Sequence, residues 1–221
     1  MVPADTLAHN DSPHPGEKPV WHHHRWLNQP LFLASASPRR LELLRQIGIE
    51  PMVMATDIDE SRQPGESITA FVNRMAENKA SRLFTLQPNG SPKDLVIGAD
   101  TVVVVEDQIF GKPTSPQQAT AMLQQLSGRW HLVMTAVAVR RRDRTTCWQR
   151  LVVSHVCIKS LSADEITAYV ASGEPLDKAG AYAIQGLAAC FVTQLHGSYS
   201  GVVGLPLAET IELLLSASNA S

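Results

Sequence analysis

Residues 31–48 read LFLASASPRRLELLRQIG, and the order of these residues decides the fold. Leu31, Phe32 and Leu33 form a short apolar run that stops abruptly at the small residues Ala34 to Ser37, the pattern of a buried strand entering a polar turn. Beyond Ser37-Pro38, Leu41, Leu43, Leu44 and Ile47 recur at helical spacing, and Gly48 supplies a C-terminal stop. Strand, polar turn and helix thus follow one another directly.

The rest of the chain extends this unit into a mixed α/β architecture. A second amphipathic helix is expected from about Ser67 to Phe84, with Ile68, Phe71, Val72, Met75 and Leu83 on its apolar face and Arg74, Glu77 and Lys79 on its polar side. Gln87 to Asp94 carries proline, glycine and asparagine, which is loop chemistry. Leu95 to Val105 reads as a central strand interrupted by Gly98-Ala99-Asp100-Thr101. A helix is expected from about Ser115 to Leu126, closed by Ser127-Gly128. His131 to Val139 and Arg150 to Ile158 form an antiparallel pair around a charged tip. Ser162 and Glu165 match a capping box for a helix from Ser162 to Ser172. A glycine-rich loop, a strand near Ala189 to Gln194 and a closing helix from about Pro206 to Leu215 complete the reading.

A chain of 221 residues with 44% apolar content buries a sizeable core as one domain or two closely packed halves. Residues 1–30 differ in carrying five prolines and the run His22, His23, His24, and they read as a disordered extension. Adjacent histidines do not converge on one tetrahedral metal site, so no chemistry is assigned to them. The net charge of −2 gives no basic field to hold a nucleic acid polymer. Arg140, Arg141, Arg142 and Arg144 lack aromatic interleaving and read as a solvated hairpin tip. Three unpaired-looking cysteines, the lack of an apolar signal region and the lack of any run of about 18 apolar residues lead us to expect a cytoplasmic protein with no membrane partner.

Four places concentrate chemistry. The turn Ser35-Ala36-Ser37-Pro38-Arg39-Arg40 puts hydroxyls, free N–H groups and two guanidiniums at a helix start, which favours anions; a serine N-cap beside exposed arginines is the plainer reading. Asp100 stands in an apolar stretch where a carboxylate is costly unless paired, hydrated or bound to a cation, although a turn-capping role is also open. Glu60, in the patch Asp57-Ile58-Asp59-Glu60, is a candidate second carboxylate. Lys79, Lys112 and the loop Asp177 to Gly186 offer cations and close backbone approach to a ligand, or else surface charge and a structural turn. His131, His155 and His196 are scattered, and neither a nucleophile elbow nor a P-loop is present.

Taken together, LASASPRRLELLRQIGI, VIGADTVVV, GKPTSPQQATAMLQQLSGRWHLVMTAVAV, GEPLDKAGAYAIQG and GSYSGVVGLPL resemble the Maf family in order and spacing, over about residues 31–215. The resemblance implies a nucleoside triphosphate pyrophosphatase domain spanning residues 31–218, with an elongated, mixed, curved sheet, flanking helices and a central cleft similar to the inosine triphosphate pyrophosphatases. The loop DKAGAYAIQG resembles the dTTP/UTP branch. By that likeness Asp100 is the catalytic proton acceptor, and Arg39, Thr101 and Gln185 govern substrate choice. Ser37, Arg40, Lys79 and Lys112 face phosphates, and Glu60 and Asp100 lie beside a divalent cation, Mg2+ or Mn2+. A carboxylate alone is a weak base, so the cation is expected to share the work by acidifying its bound water. The family also implies a homodimer as one possible assembly. Pyrophosphatases for other modified nucleotides, and a regulatory interaction protein in cell division, are the alternatives. Gly201 departs from relatives that carry a larger polar residue there.

Overall fold

The computed structural model describes residues 29–220; the expected N-terminal extension lies outside them save for its last two residues. Seven strands form one mixed sheet: β1 (Leu31–Leu33), β2 (Met52–Val53), β3 (Leu95–Val105), β4 (Gln108–Phe110), β5 (Trp130–Arg141), β6 (Cys147–Ile158) and β7 (Val192–His196). The order is β2-β1-β3-β5-β6-β7, with β1 parallel to both β2 and β3 and the remaining neighbours antiparallel. Among the described residues six α-helices flank it: α1 (Pro38–Gln46), α2 (Ile68–Leu86), α3 (Pro116–Leu126), α4 (Ala163–Ala171), α5 (Tyr199–Val203) and α6 (Leu207–Asn219).

Side-chain alternation along β3 sorts the packing. Val96, Val102 and Val104 point to the face covered by α2, where they meet Phe71, Val72, Met75, Ala80 and Leu83. Leu95, Ile97 and Ala99 point to the opposite face and join a core with α1 and α6. Val103 and Val105 share that second face but belong to a separate core built on α3, α4 and the turns around Ala181 and Ala188. Between the two cores lies a polar seam: Thr101 stands between Ala99 and Val103, and its register partner on β5, Thr135, stands between Val137 and Val133.

β1 pairs with Leu95–Ile97 and β4 with Val103–Val105, both along the same edge of β3, since β5 takes the other. Among the described residues, no strand pairs with Gly98–Val102 on that edge. The expected interruption at Gly98–Thr101 is not a break in β3, which runs continuously from Leu95 to Val105; it is a gap in the neighbouring strands. The gap opens where the seam divides the second face.

The basic cluster is a correction to the sequence reading. Arg140 and Arg141 lie within β5, not on a solvated tip. Buried Arg141 donates to the carbonyls of Ala217 at 2.9 Å and Ala220 at 2.8 Å, filling acceptors that the end of α6 leaves unpaired. Arg142 pairs with buried Asp94 at 3.3 Å and covers the Phe84 ring at 4.8 Å. The capping box of α4 forms as expected, with Ser162 and Glu165 each bonding the other's backbone N–H.

Candidate active site

A cleft of about 580 Å³ enters at the gap beside β3, and Ser37, Arg39, Arg40, Glu60, Lys79, Asp100, Thr101, Lys112 and Gln185 all line it. Because successive strand residues point to opposite faces, Asp100 and Thr101 present their side chains on the two sides of the sheet. The cleft therefore wraps the open edge of β3.

On the α2 side, Lys79 Nζ lies 2.7 Å from Asp100 Oδ1 and 2.8 Å from Glu60 Oε1. Lys79 and Asp100 are each 9% exposed, so this is a buried charge pair, with Glu60 reaching in from an exposed loop. Gly98 makes the pair possible: a Cβ there would lie 2.2 Å from the Ala76 carbonyl oxygen, so only glycine lets α2 settle this close to β3. The polar side expected for Lys79 is thus turned into the protein. Arg74, on the same helix, instead pairs outside with Glu66 at 2.6 Å and holds its carboxyl down at about 2.

On the other side, half-buried Arg40 donates from Nε to the Gly204 carbonyl at 2.8 Å, and from its two terminal nitrogens to Ser35 Oγ at 3.0 Å and Thr101 Oγ1 at 3.3 Å. Burial lowers the Arg40 guanidinium's hold on its proton and the Asp100 charge opposes that, but an arginine remains a cation in either case. Thr135 donates its single hydroxyl proton to the Gly201 carbonyl at 2.7 Å, so the 3.0 Å contact with Thr101 has Thr101 donating. Thr101 Oγ1 thereby serves as the acceptor for Arg40. Ser37 is the N-cap residue of α1 but makes no side-chain cap bond, which leaves its hydroxyl and the helix N–H groups free for an anion.

Arg39 sits at the mouth, 3.6 Å from Asp177, which also pairs with Lys178. Lys112, on the loop after β4, and Gln185, on the loop after Tyr182, are exposed and line the cleft without a hydrogen bond to the other site residues. Gly180 N donates to the Gly111 carbonyl at 3.1 Å, and this bond draws those two loops together. Thr135 was not selected from sequence, and Asp177 was named there only as the start of the glycine-rich loop. Thr135 carried a usable signal, a lone hydroxyl inside VMTAVAV, of the kind that picked out Asp100. Gly201 lies against Ser198, whose Cβ would be 3.1 Å from an added Cβ, so a larger residue here requires Ser198 to shift.

Buried His131 bonds Tyr182, a cleft-lining residue, at 2.8 Å through Nε2, and its Nδ1 has no partner among the described residues. Burial lowers its pKa to about 4, so it is neutral at pH 7. Among the described residues no cluster of three or more His, Cys, Asp or Glu side chains is placed to hold a metal ion, and no helix is long and apolar enough to cross a membrane.

The profile of the Maf-like protein family matches residues 30–217. A protein of Aromatoleum aromaticum named dTTP/UTP pyrophosphatase is 48% identical over 84% of this chain and 94% of its own length. Proteins of the same name from Escherichia coli O157:H7 and Shewanella denitrificans are each 51% identical, over 83% and 82% of this chain and 91% and 93% of their own lengths. The profile spans both cores and every residue that lines the cleft, and with relatives about half identical over more than four fifths of its length the chain belongs to the Maf-like family.

Proposed function

We propose that this protein hydrolyses dTTP and UTP to the monophosphate and pyrophosphate in the cytoplasm, with residues 31–218 as the catalytic domain. The observation that carries the reading is the buried Asp100–Lys79 pair at the open edge of β3, faced across that edge by Arg40 and the uncapped start of α1. A carboxylate and several fixed cations around one cleft suit the hydrolysis of a phosphoanhydride, which needs a base for water and positive charge for the leaving group.

Asp100 takes the proton from the attacking water as Lys79 leaves it for a phosphate oxygen. Lys79, Lys112 and Arg40 then face the charge that develops on pyrophosphate, and Ser37 with the α1 N–H groups holds a phosphate in register. A divalent cation fits the donor set: Asp100 and Glu60 already share one cation, the Lys79 ammonium, and carboxylate oxygens suit Mg2+ or Mn2+. Among the described residues no third His, Cys, Asp or Glu joins these two carboxylates, so substrate phosphates and water would supply the remaining ligands. Bound there, it supplies positive charge beside the phosphates and makes water more acidic.

Base choice falls to Arg39, Thr101 and Gln185, which line the part of the cleft on the seam side of β3. Uracil and thymine share two carbonyl acceptors flanking an N–H donor. Gln185 offers a donor and an acceptor, Arg39 donates, and Thr101 carries a hydroxyl oxygen that accepts. A panel of nucleoside triphosphates, assayed with Mg2+ for the wild type and for Asp100→Asn, tests the proposal. Selective turnover of dTTP and UTP that Asp100→Asn abolishes supports it; preferential turnover of purine triphosphates, or a fully active Asp100→Asn, overturns it.

A further inference from the structure

Gln185 is exposed on a loop that belongs to no strand or helix, yet a base-reading side chain has to be held within about 0.5 Å of its productive position. The hydrogen bonds around that loop supply the missing rigidity. Ala183 N donates to the Tyr169 hydroxyl at 3.2 Å, and that hydroxyl donates to Glu174 Oε1 at 2.8 Å. On the far side of Gln185, Leu187 N donates to Glu174 Oε2 at 2.9 Å and Ala188 N to Oε1 at 3.4 Å. Both flanks of Gln185 are thereby tied to one carboxylate.

We propose that Glu174 and Tyr169 are positioning residues for base selectivity, clamping the Ala183–Ala188 loop so that Gln185 is held ready for the pyrimidine edge. Neither touches the cleft as a lining residue. The clamp is anchored in the fold: Tyr169 is a buried residue of α4, packed edge-to-face on Phe191 with ring centroids 5.2 Å apart. Burial and the Glu174 charge raise the Tyr169 phenol above its ordinary range, which keeps it a donor to the carboxylate. Gly186 completes the arrangement. A Cβ there would lie 2.3 Å from Glu174 Oε2, so only glycine lets the carboxylate reach the loop's N–H groups. Hydrogen bonds from neutral donors to a charged acceptor are the stronger kind, and here they converge on one side chain from both ends of a short loop.

The inference rests on the proposed base-reading role of Gln185, and a double-mutant cycle separates the two claims. Glu174→Ala, Gln185→Ala and the double variant are assayed for kcat/KM with dTTP, UTP and GTP. Glu174→Ala is expected to lower kcat/KM for dTTP and UTP by about tenfold, the worth of the one or two hydrogen bonds that a displaced Gln185 would lose to the base, while leaving the low rate with GTP unchanged. In the Gln185→Ala background the same change should have no further effect on selectivity. A uniform fall across all substrates, or a full additional effect in the Gln185→Ala background, overturns the positioning role. If Gln185→Ala itself lowers all substrates equally, the base-reading role of Gln185 fails first. Should Glu174→Ala not fold, Tyr169→Phe decides, because it removes only the hydroxyl that joins Ala183 to Glu174. A selective loss of the same sign supports the clamp, and unchanged selectivity overturns it.

Discussion

Gly98→Ala tests the link between helix packing and chemistry. The new Cβ would sit 2.2 Å from the Ala76 carbonyl oxygen, 2.7 Å from the Ala80 nitrogen and 3.0 Å from the Ala80 Cβ. The first two are backbone atoms of α2 and cannot rotate aside. Carbon contacts become comfortable only near about 3.5 Å, so α2 must retreat from β3 by roughly 1 Å. Overpacking of this kind costs about 1–3 kcal/mol. The same retreat carries Lys79 off Asp100, now 2.7 Å away, and a misplacement of about 1 Å at a reacting centre can cost about 10²-fold in rate. Urea unfolding and steady-state turnover of dTTP measure the two effects on one preparation. A lowered midpoint together with a roughly hundredfold fall in kcat is expected. A lowered midpoint with wild-type kcat would show that the helix position does not control the Asp100–Lys79 pair, and an unchanged midpoint would refute the packing argument itself.

Asp100→Asn keeps an oxygen that accepts from Lys79, so the fold should persist while turnover falls by about 10²–10⁴-fold; circular dichroism and kcat on the Mg2+-saturated variant check both halves. Gln185→Ala should cost about tenfold to a hundredfold in kcat/KM for dTTP and UTP, and less for GTP, as a substrate panel will show. His131 gives a pH dependence of stability. With its folded pKa at about 4 against 6.5 unfolded, the unfolded chain binds a proton that the folded protein refuses. Its contribution is complete above pH 6.5 and is lost as pH falls toward 4, by roughly 3 kcal/mol over the window. Unfolding midpoints at a series of pH values should show this slope, and His131→Leu should flatten it; an equally steep slope in the variant would exclude His131 as the cause.

Elements with a strong period were legible in the sequence. Leu31–Leu33, the helices from Pro38, Ile68 and Pro116, the β5–β6 pair and the capped α4 each carry their own pattern of apolar residues and caps. Short pieces were not legible. β2 has two exposed residues, β4 follows a turn at Glu106-Asp107 that takes positive φ without glycine or asparagine, and α5 is a single turn. Asp100 illustrates a misread context: a buried carboxylate suggested a break in β3, but Lys79 satisfies it and the strand continues. Arg141 looked solvated because its partners, the last carbonyls of α6, lie at the other end of the chain. Among the candidate site residues, the turn at Ser37–Arg40 and Asp100 could be found by local chemistry. The grouping of Glu60 with Lys79, and the loop clamp on Glu174, depend on tertiary contacts that no local spacing announces.

The reaction proposed for this cleft is cleavage between the α and β phosphates. Its most direct measurement is the identity of the first products formed from dTTP with Mg2+, separated by anion exchange at early times. dTMP and pyrophosphate are expected in equal amounts, with dTMP itself left intact. Appearance of dTDP and orthophosphate as the first products would contradict it.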